Sequence, residues 1–263
     1  METLLCGPKT TPVDLRRGRE MIKEGARFVN IVLPMSLFNT KRAAAPAGSV
    51  ERSRLLFDAL AREAAACRLC PAMCERTAVL SERNGPLGAR VMFIGEAPGR
   101  QGGDRTRVPF SGDASGRNLQ RYIDSIRLAR EAIFFTNAAL CNPRTPSGAN
   151  RTPTRAEVNN CSGFLRRQIE IIGPRVIVTL GAVSLAALKS IEYHELTLKE
   201  AAGKIFEWSG RLLVPLYHPS PQVLASHRRE AEQLRDYKAL SQALRRAGLT
   251  EKRGTGVGGR GPV

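Results

Sequence analysis

The sequence predicts an α/β protein, a three-layer α-β-α sandwich with a central, mainly parallel four-stranded sheet. Three observations carry this expectation. Four continuous apolar runs, Ala89 to Gly95, Ala132 to Cys141, Arg175 to Gly181 and Arg211 to Tyr217, have the length and composition of strands buried on both faces. Segments with apolar residues at helical spacing separate these runs, and alternation of strand and helix builds a parallel sheet covered by helices. The runs also lead into residues that carry chemistry, and ligands of such sheets bind where the carboxyl ends of the strands open into loops.

In chain order, residues 1–50 read as an N-terminal basic extension, partly ordered. It holds a basic stretch from Arg16 to Lys23, a short apolar segment from Phe28 to Phe38, and a linker-like TKRAAAPAG from Thr40 to Gly48. A helix is expected from Val50 to Ala66, where Leu55, Leu56, Ala59, Leu60 and Glu63 recur at helical spacing. Further helices are expected at Arg117 to Leu128, Arg155 to Ile172, Ala182 to Ser190 and Ser226 to Ala247. One domain thus spans residues 51–247, and residues 248–263, ending GTGVGGRGPV, read as a Gly-rich disordered tail.

Composition narrows the partners. Hydrophobic residues make up 42% of the chain and charged residues 25%, which argues for a packed globular protein. Lys and Arg number 41 against 24 Asp and Glu, a formal charge of +17. A field of that sign attracts phosphate backbones irrespective of their sequence. No apolar run approaches the roughly 20 residues that span a bilayer, so no membrane partner is expected and a soluble, cytoplasmic monomer is. Six cysteines, unevenly spread over 263 residues, do not make a disulfide scaffold; clustered thiols in a reducing compartment serve more often as metal ligands or redox groups.

The strand ends hold the informative residues. GEAPG, Gly95 to Gly99, follows the first run; Asn137 lies in the second, four residues before Cys141; Gly181 closes the third; HPS, His218 to Ser220, follows the fourth. A Gly-Pro turn after one strand marks only a tight turn. The ordered set GEAPGRQGGDRTRVPFSGDASGRNL, TNAALC and VPLYHPS resembles the uracil-DNA glycosylase superfamily over roughly Cys67 to Leu240. The cysteines resemble its iron-sulfur branch: Cys67 and Cys70 in CRLC, then Cys141 and Cys161. Two Cys at i and i+3 can present both sulfurs to one centre, and four thiolates suit an iron-sulfur cluster or structural zinc. The resemblance implies a 4Fe-4S cluster on Cys67, Cys70, Cys141 and Cys161, with zinc the alternative and Cys74 a nearby substitute for Cys70.

The resemblance also implies a function, the extrusion of uracil from single- or double-stranded DNA and hydrolysis of its N-glycosidic bond. A base within a duplex must be flipped into a pocket that stacks its face and reads its edge. Phe110 matches the stacking aromatic, and Asn137 the amide that donates to uracil O4 and accepts from N3-H, a pattern cytosine reverses. Gly95, Ala97 and Ser220 complete the expected uracil-binding set. Cleavage leaves positive charge on the sugar and negative charge on the base. Glu96 matches the carboxylate beside the sugar, and His218 the donor to uracil O2.

RTRVPFSGDASG also resembles a sister iron-sulfur branch, whose first motif usually has an apolar residue where Glu96 stands. Asp113 and Asp104 are therefore second-choice carboxylates, and a broader deaminated-base range is an alternative. After HPS, Gln222, Val223 or Leu224 is placed to wedge into DNA while Arg228 and Arg229 meet phosphates, with Arg151 and Arg155 as further contacts. A damage-sensing DNA-binding protein with the same fold and little turnover is the competing reading.

Overall fold

The computed structural model describes residues 47–249; the expectations for residues 1–46 and 250–263 lie outside them. The elements run α1 (Ala47–Ala66), β1 (Val91–Gly95), α2 (Gly103–Thr106), α3 (Ala114–Ser125), β2 (Ile133–Asn137), α4 (Arg155–Ile172), β3 (Val176–Leu180), α5 (Ala182–Ala187), α6 (Leu198–Ala201), β4 (Phe206–Trp208), β5 (Arg211–Leu216), α7 (Pro221–Ser226) and α8 (Glu230–Arg246). Among the described residues no helix is long and apolar enough to cross a membrane.

The sheet has five strands in the order β2-β1-β3-β5-β4, not the four expected. The four anticipated strands are parallel to one another, and β4 adds an antiparallel edge. Three residues are too few for a periodic signal, which is why β4 escaped the sequence pattern. Strand β2 also ends at Asn137 rather than Cys141. Ala138 to Leu140 are buried but leave the ladder, with the Ala138 amide on the Gly95 carbonyl (2.8 Å) and the Ala139 amide on that of Glu96 (3.0 Å).

Successive residues of each strand face opposite layers, and two apolar clusters result. Met92, Ile94, Phe134, Ile177 and Leu213 pack with α1, α4 and α5, through Phe57, Leu60, Phe164, Leu165 and Leu185. Val91, Phe93, Phe135, Val178 and Val214 pack with α3 and α8, through Leu119, Tyr122, Ile123, Tyr237 and Leu240. In α1 the buried stripe is Phe57, Leu60 and Ala64, while Leu55 and Leu56 face solvent. Helix α4 begins with a capping box, Thr154 with Glu157, and ends at Gly173 with φ 60°, a left-handed position that glycine adopts without strain. The expected final helix, Ser226 to Ala247, begins later: α7 ends at Ser226 with His227 as its cap, and α8 starts at Glu230.

The outer edge of β2 is covered by the segment before β1. Asn84 is fully buried and donates from Nδ2 to the Phe135 carbonyl at 2.7 Å, while the Val79 amide bonds the Leu140 carbonyl at 2.8 Å.

Candidate active site

Strand order reverses around β1, which lies between β2 and β3, and the loops at the carboxyl ends of the strands there enclose a cavity of about 360 Å³. Glu96, Ala97, Phe110, Asp113, Asn137, His218 and Ser220 all line it. Gly95 sits at its base, paired with Asn137 across β1 and β2. A Cβ at position 95 would lie 2.5 Å from Asn137 Oδ1 and 2.5 Å from Phe110 Cζ, so only glycine lets the amide and the ring close in.

Phe110 adopts φ 51°, a conformation unfavourable for a bulky L-residue and common at functional sites. Its ring lies 5.9 Å from that of Phe135 and 6.2 Å from the His218 imidazole. His218 leaves β5 beside Gly181, whose φ is 100°. The turn is tied down from two helices: Gln233 Nε2 donates to the His218 carbonyl (3.4 Å) and Asn118 Nδ2 to that of Pro219 (2.8 Å). The Ser220 hydroxyl accepts from the Val223 amide and caps α7.

The electrostatics of the two central groups diverge. Burial pushes the His218 imidazole down to about 4, against an opposing pull from the Asp113 carboxylate, so the ring is neutral at pH 7. Burial raises the Glu96 carboxyl above its ordinary value, and a hydrogen bond from the Thr152 hydroxyl partly offsets this. Asp113 caps α3, accepting from the Gly116 amide at 2.8 Å, yet still lines the cavity. Asp104 is taken up by Arg144 at 2.6 Å and does not line the cavity.

Sequence reasoning missed the loop opposite GEAPG. Asn142, 1% exposed, donates to the Pro98 carbonyl (2.6 Å) and to Asn150 Oδ1 (3.0 Å), which also accepts from the Arg100 amide (3.0 Å). Thr152 completes this support by bonding Glu96. The Asn142–Pro98 contact spans 44 residues, and no local pattern announces it.

Of the arginines expected to meet phosphates, two are engaged within the fold. Arg228 forks onto Asp236 (2.9 and 2.7 Å) and lies over the Tyr217 ring, and Arg151 forks onto Glu157 (2.8 and 2.6 Å). Arg155 and Arg229 are exposed and in none of the ion pairs among the described residues. A larger open cleft of about 1180 Å³ at the amino ends of β3 and β5 contains His194 but none of the residues singled out above.

Cys67 follows α1, Cys70 precedes a short turn, Cys141 follows the buried loop after β2, and Cys161 lies in α4. All are free thiols. Burial pushes Cys141 up to about 12 and Cys161 up to about 11, and the fields of the other thiols add to this. That mutual field links Cys67, Cys70, Cys141 and Cys161. Desolvated thiols within one another's field fit a group that binds four thiolates, since ligation removes the cost of leaving them side by side. Among the described residues, no three His, Cys, Asp or Glu converge tightly enough to hold a single metal ion.

A mainly parallel sheet with this cavity at the carboxyl ends of its strands defines an α/β protein with a ligand cleft at the switch point of its strand order, lined by Phe110, Asn137, His218 and the carboxylates Glu96 and Asp113. Residues 82–245 match the model of the uracil DNA glycosylase superfamily, and the chain belongs to that superfamily. It is 34% identical to the type-4 uracil-DNA glycosylase of Thermotoga maritima over 166 residues, 63% of this chain and 82% of that one. It is 35% identical to the type-4 uracil-DNA glycosylase of Saccharolobus solfataricus over 195 residues, 72% and 86% of the two chains. A type-5 uracil-DNA glycosylase of Pyrobaculum aerophilum is 32% identical over 176 residues, 62% and 73%.

Proposed function

We propose that this protein is a uracil-DNA glycosylase that excises uracil from DNA and leaves an abasic site. The observation that carries the reading is the convergence of Phe110, Asn137, Glu96 and His218 on one cavity built around Gly95. The flipped base stacks on Phe110, and Asn137 reads its O4 and N3-H edge. As the glycosidic bond breaks, the neutral His218 ring donates to O2, where negative charge gathers. Glu96, acting as its carboxylate, stands by the sugar to stabilise its positive charge and orient the attacking water. Water adds to C1′ of the sugar; its proton goes to solvent and the base departs as the uracil anion.

Cys67, Cys70, Cys141 and Cys161 would hold a 4Fe-4S cluster, whose contribution is to tie α1, the loop after β2 and α4 together. Ala97 and Ser220 shape the pocket rim, and Arg155 and Arg229 meet DNA phosphates.

The test is release of uracil from single- and double-stranded oligonucleotides, read as alkali-labile sites. Wild type cleaves, while Glu96→Gln and His218→Ala each lose about 10² to 10³-fold in rate. Intact uracil DNA with wild-type protein would overturn the assignment. Asp113, a second carboxylate in the cavity, favours testing hypoxanthine and xanthine beside uracil.

A further inference from the structure

Arg130 stands just before β2 in a short helical turn, Arg130–Ala132, and its guanidinium has unusual company. Nη2 donates to the Pro109 carbonyl at 2.6 Å and to the Phe110 carbonyl at 3.3 Å. The same guanidinium lies over the Phe135 ring, 4.4 Å from its centroid. Phe135 in turn backs the ring of Phe110 at 5.9 Å. None of the ion pairs among the described residues involves Arg130.

The arginine thus grips Phe110 twice, by its carbonyl and through the ring behind it. Phe110 needs such a grip because φ 51° is strained for a bulky L-residue and persists only where surroundings enforce it. Gly116 supplies space on the carbonyl side, where a Cβ would collide with the Phe110 oxygen, and Gly95 supplies it beside the ring. These glycines permit the conformation but do not hold it. The planar guanidinium lies over the Phe135 ring while Nη2 donates to both carbonyls, a stacking that the compact ammonium of lysine does not reproduce.

We propose that Arg130 is a positioning residue for base recognition, locking Phe110 in its strained pose as a stacking platform. This rests on Phe110 being the surface on which the flipped base stacks.

The experiment measures binding to two DNAs, one with a non-cleavable 2′-fluoro-2′-deoxyuridine and one with a tetrahydrofuran abasic analogue. Arg130→Met, Arg130→Lys, Phe110→Ala and the double variant Phe110→Ala with Arg130→Met are compared, with kcat and KM for uracil excision. Arg130→Met is expected to lose about tenfold in affinity for the base-containing DNA and to keep that for the abasic DNA. Arg130→Lys recovers only part of the loss. The double variant is expected to be no worse than Phe110→Ala, because Arg130 acts through that ring. Equal weakening on both DNAs, or additive losses in the double variant, overturns the proposal. If Phe110→Ala itself keeps wild-type discrimination between the two DNAs, the stacking role fails. If Phe110→Ala loses discrimination and Arg130→Met does not, the Arg130 role alone fails. Should Arg130→Met not fold, Arg130→Lys, singly and combined with Phe110→Ala, carries the same comparisons.

Discussion

At the scale of single residues, the two central groups of the cavity should separate cleanly in a pH profile. His218 binds its proton only at about 4, whereas Glu96 is raised above 4.5. On acidification Glu96 therefore protonates first, and kcat/KM should fall tenfold per pH unit below its pKa. Glu96→Gln should abolish that acid limb in the residual activity. The Thr152 hydroxyl favours the Glu96 carboxylate, so Thr152→Val should move the limb to higher pH and Thr152→Ser should restore it. Stability responds to His218 in the opposite sense from a paired histidine. The unfolded ring takes up a proton near 6.5 while the folded one waits until about 4, so stability declines as pH falls through that window. Denaturant midpoints at pH 7 and pH 5 for wild type and His218→Ala measure it.

At the scale of elements, the loop from Asn142 to Thr152 supports GEAPG as a strut. Asn142→Ala would leave the Pro98 carbonyl without its buried donor, a loss of about 1 to 3 kcal/mol that a denaturation curve can read. The same variant should slow excision, because the loop that carries Glu96 loses its anchor. This strut also marks the limit of what the sequence discloses. The four parallel strands and α4 were legible, since long apolar runs and a capping box carry local signals. Glu96, Ala97, Asn137, His218 and Ser220 were legible because each ends or follows a strand, whereas Phe110 and Asp113, in the loop between α2 and α3, were legible only through the resemblance. Asn142, Thr152 and Arg130 were not, as their partners lie far along the chain and their types are ordinary in loops. Strand β2 was read too long because Ala138 to Leu140 are as apolar as a strand, although they bond to the β1 loop instead. Arg228 was read as a phosphate contact, but the sequence did not show Asp236 one helix along, with its carboxylate facing back.

At the scale of the whole molecule, the charge of +17 predicts that DNA binding weakens with salt. The logarithm of affinity should fall linearly with the logarithm of salt concentration, with a slope near 0.9 per phosphate neutralised. Arg229→Ala should lower that slope by about one contact without altering thermal stability. Arg228→Ala should do the reverse, leaving the slope nearly intact while exposing Asp236 as an uncompensated, largely buried carboxylate. Fluorescence anisotropy across a salt series, with melting curves on the same samples, separates the two.

The polar clip on β2 bears on how the protein survives at high concentration. A bare terminal strand presents unpaired amides and carbonyls to any other chain and invites intermolecular ladders. Asn84 takes up the Phe135 carbonyl on one flank, with the Val79 amide pairing just past the end of β2, and at the other flank the sheet stops at a three-residue strand with Glu207 turned to solvent. Both devices shorten the edge that could template a neighbour. Asn84→Leu should therefore show itself less in catalysis than in storage, as light-scattering aggregates on mild heating well below global unfolding.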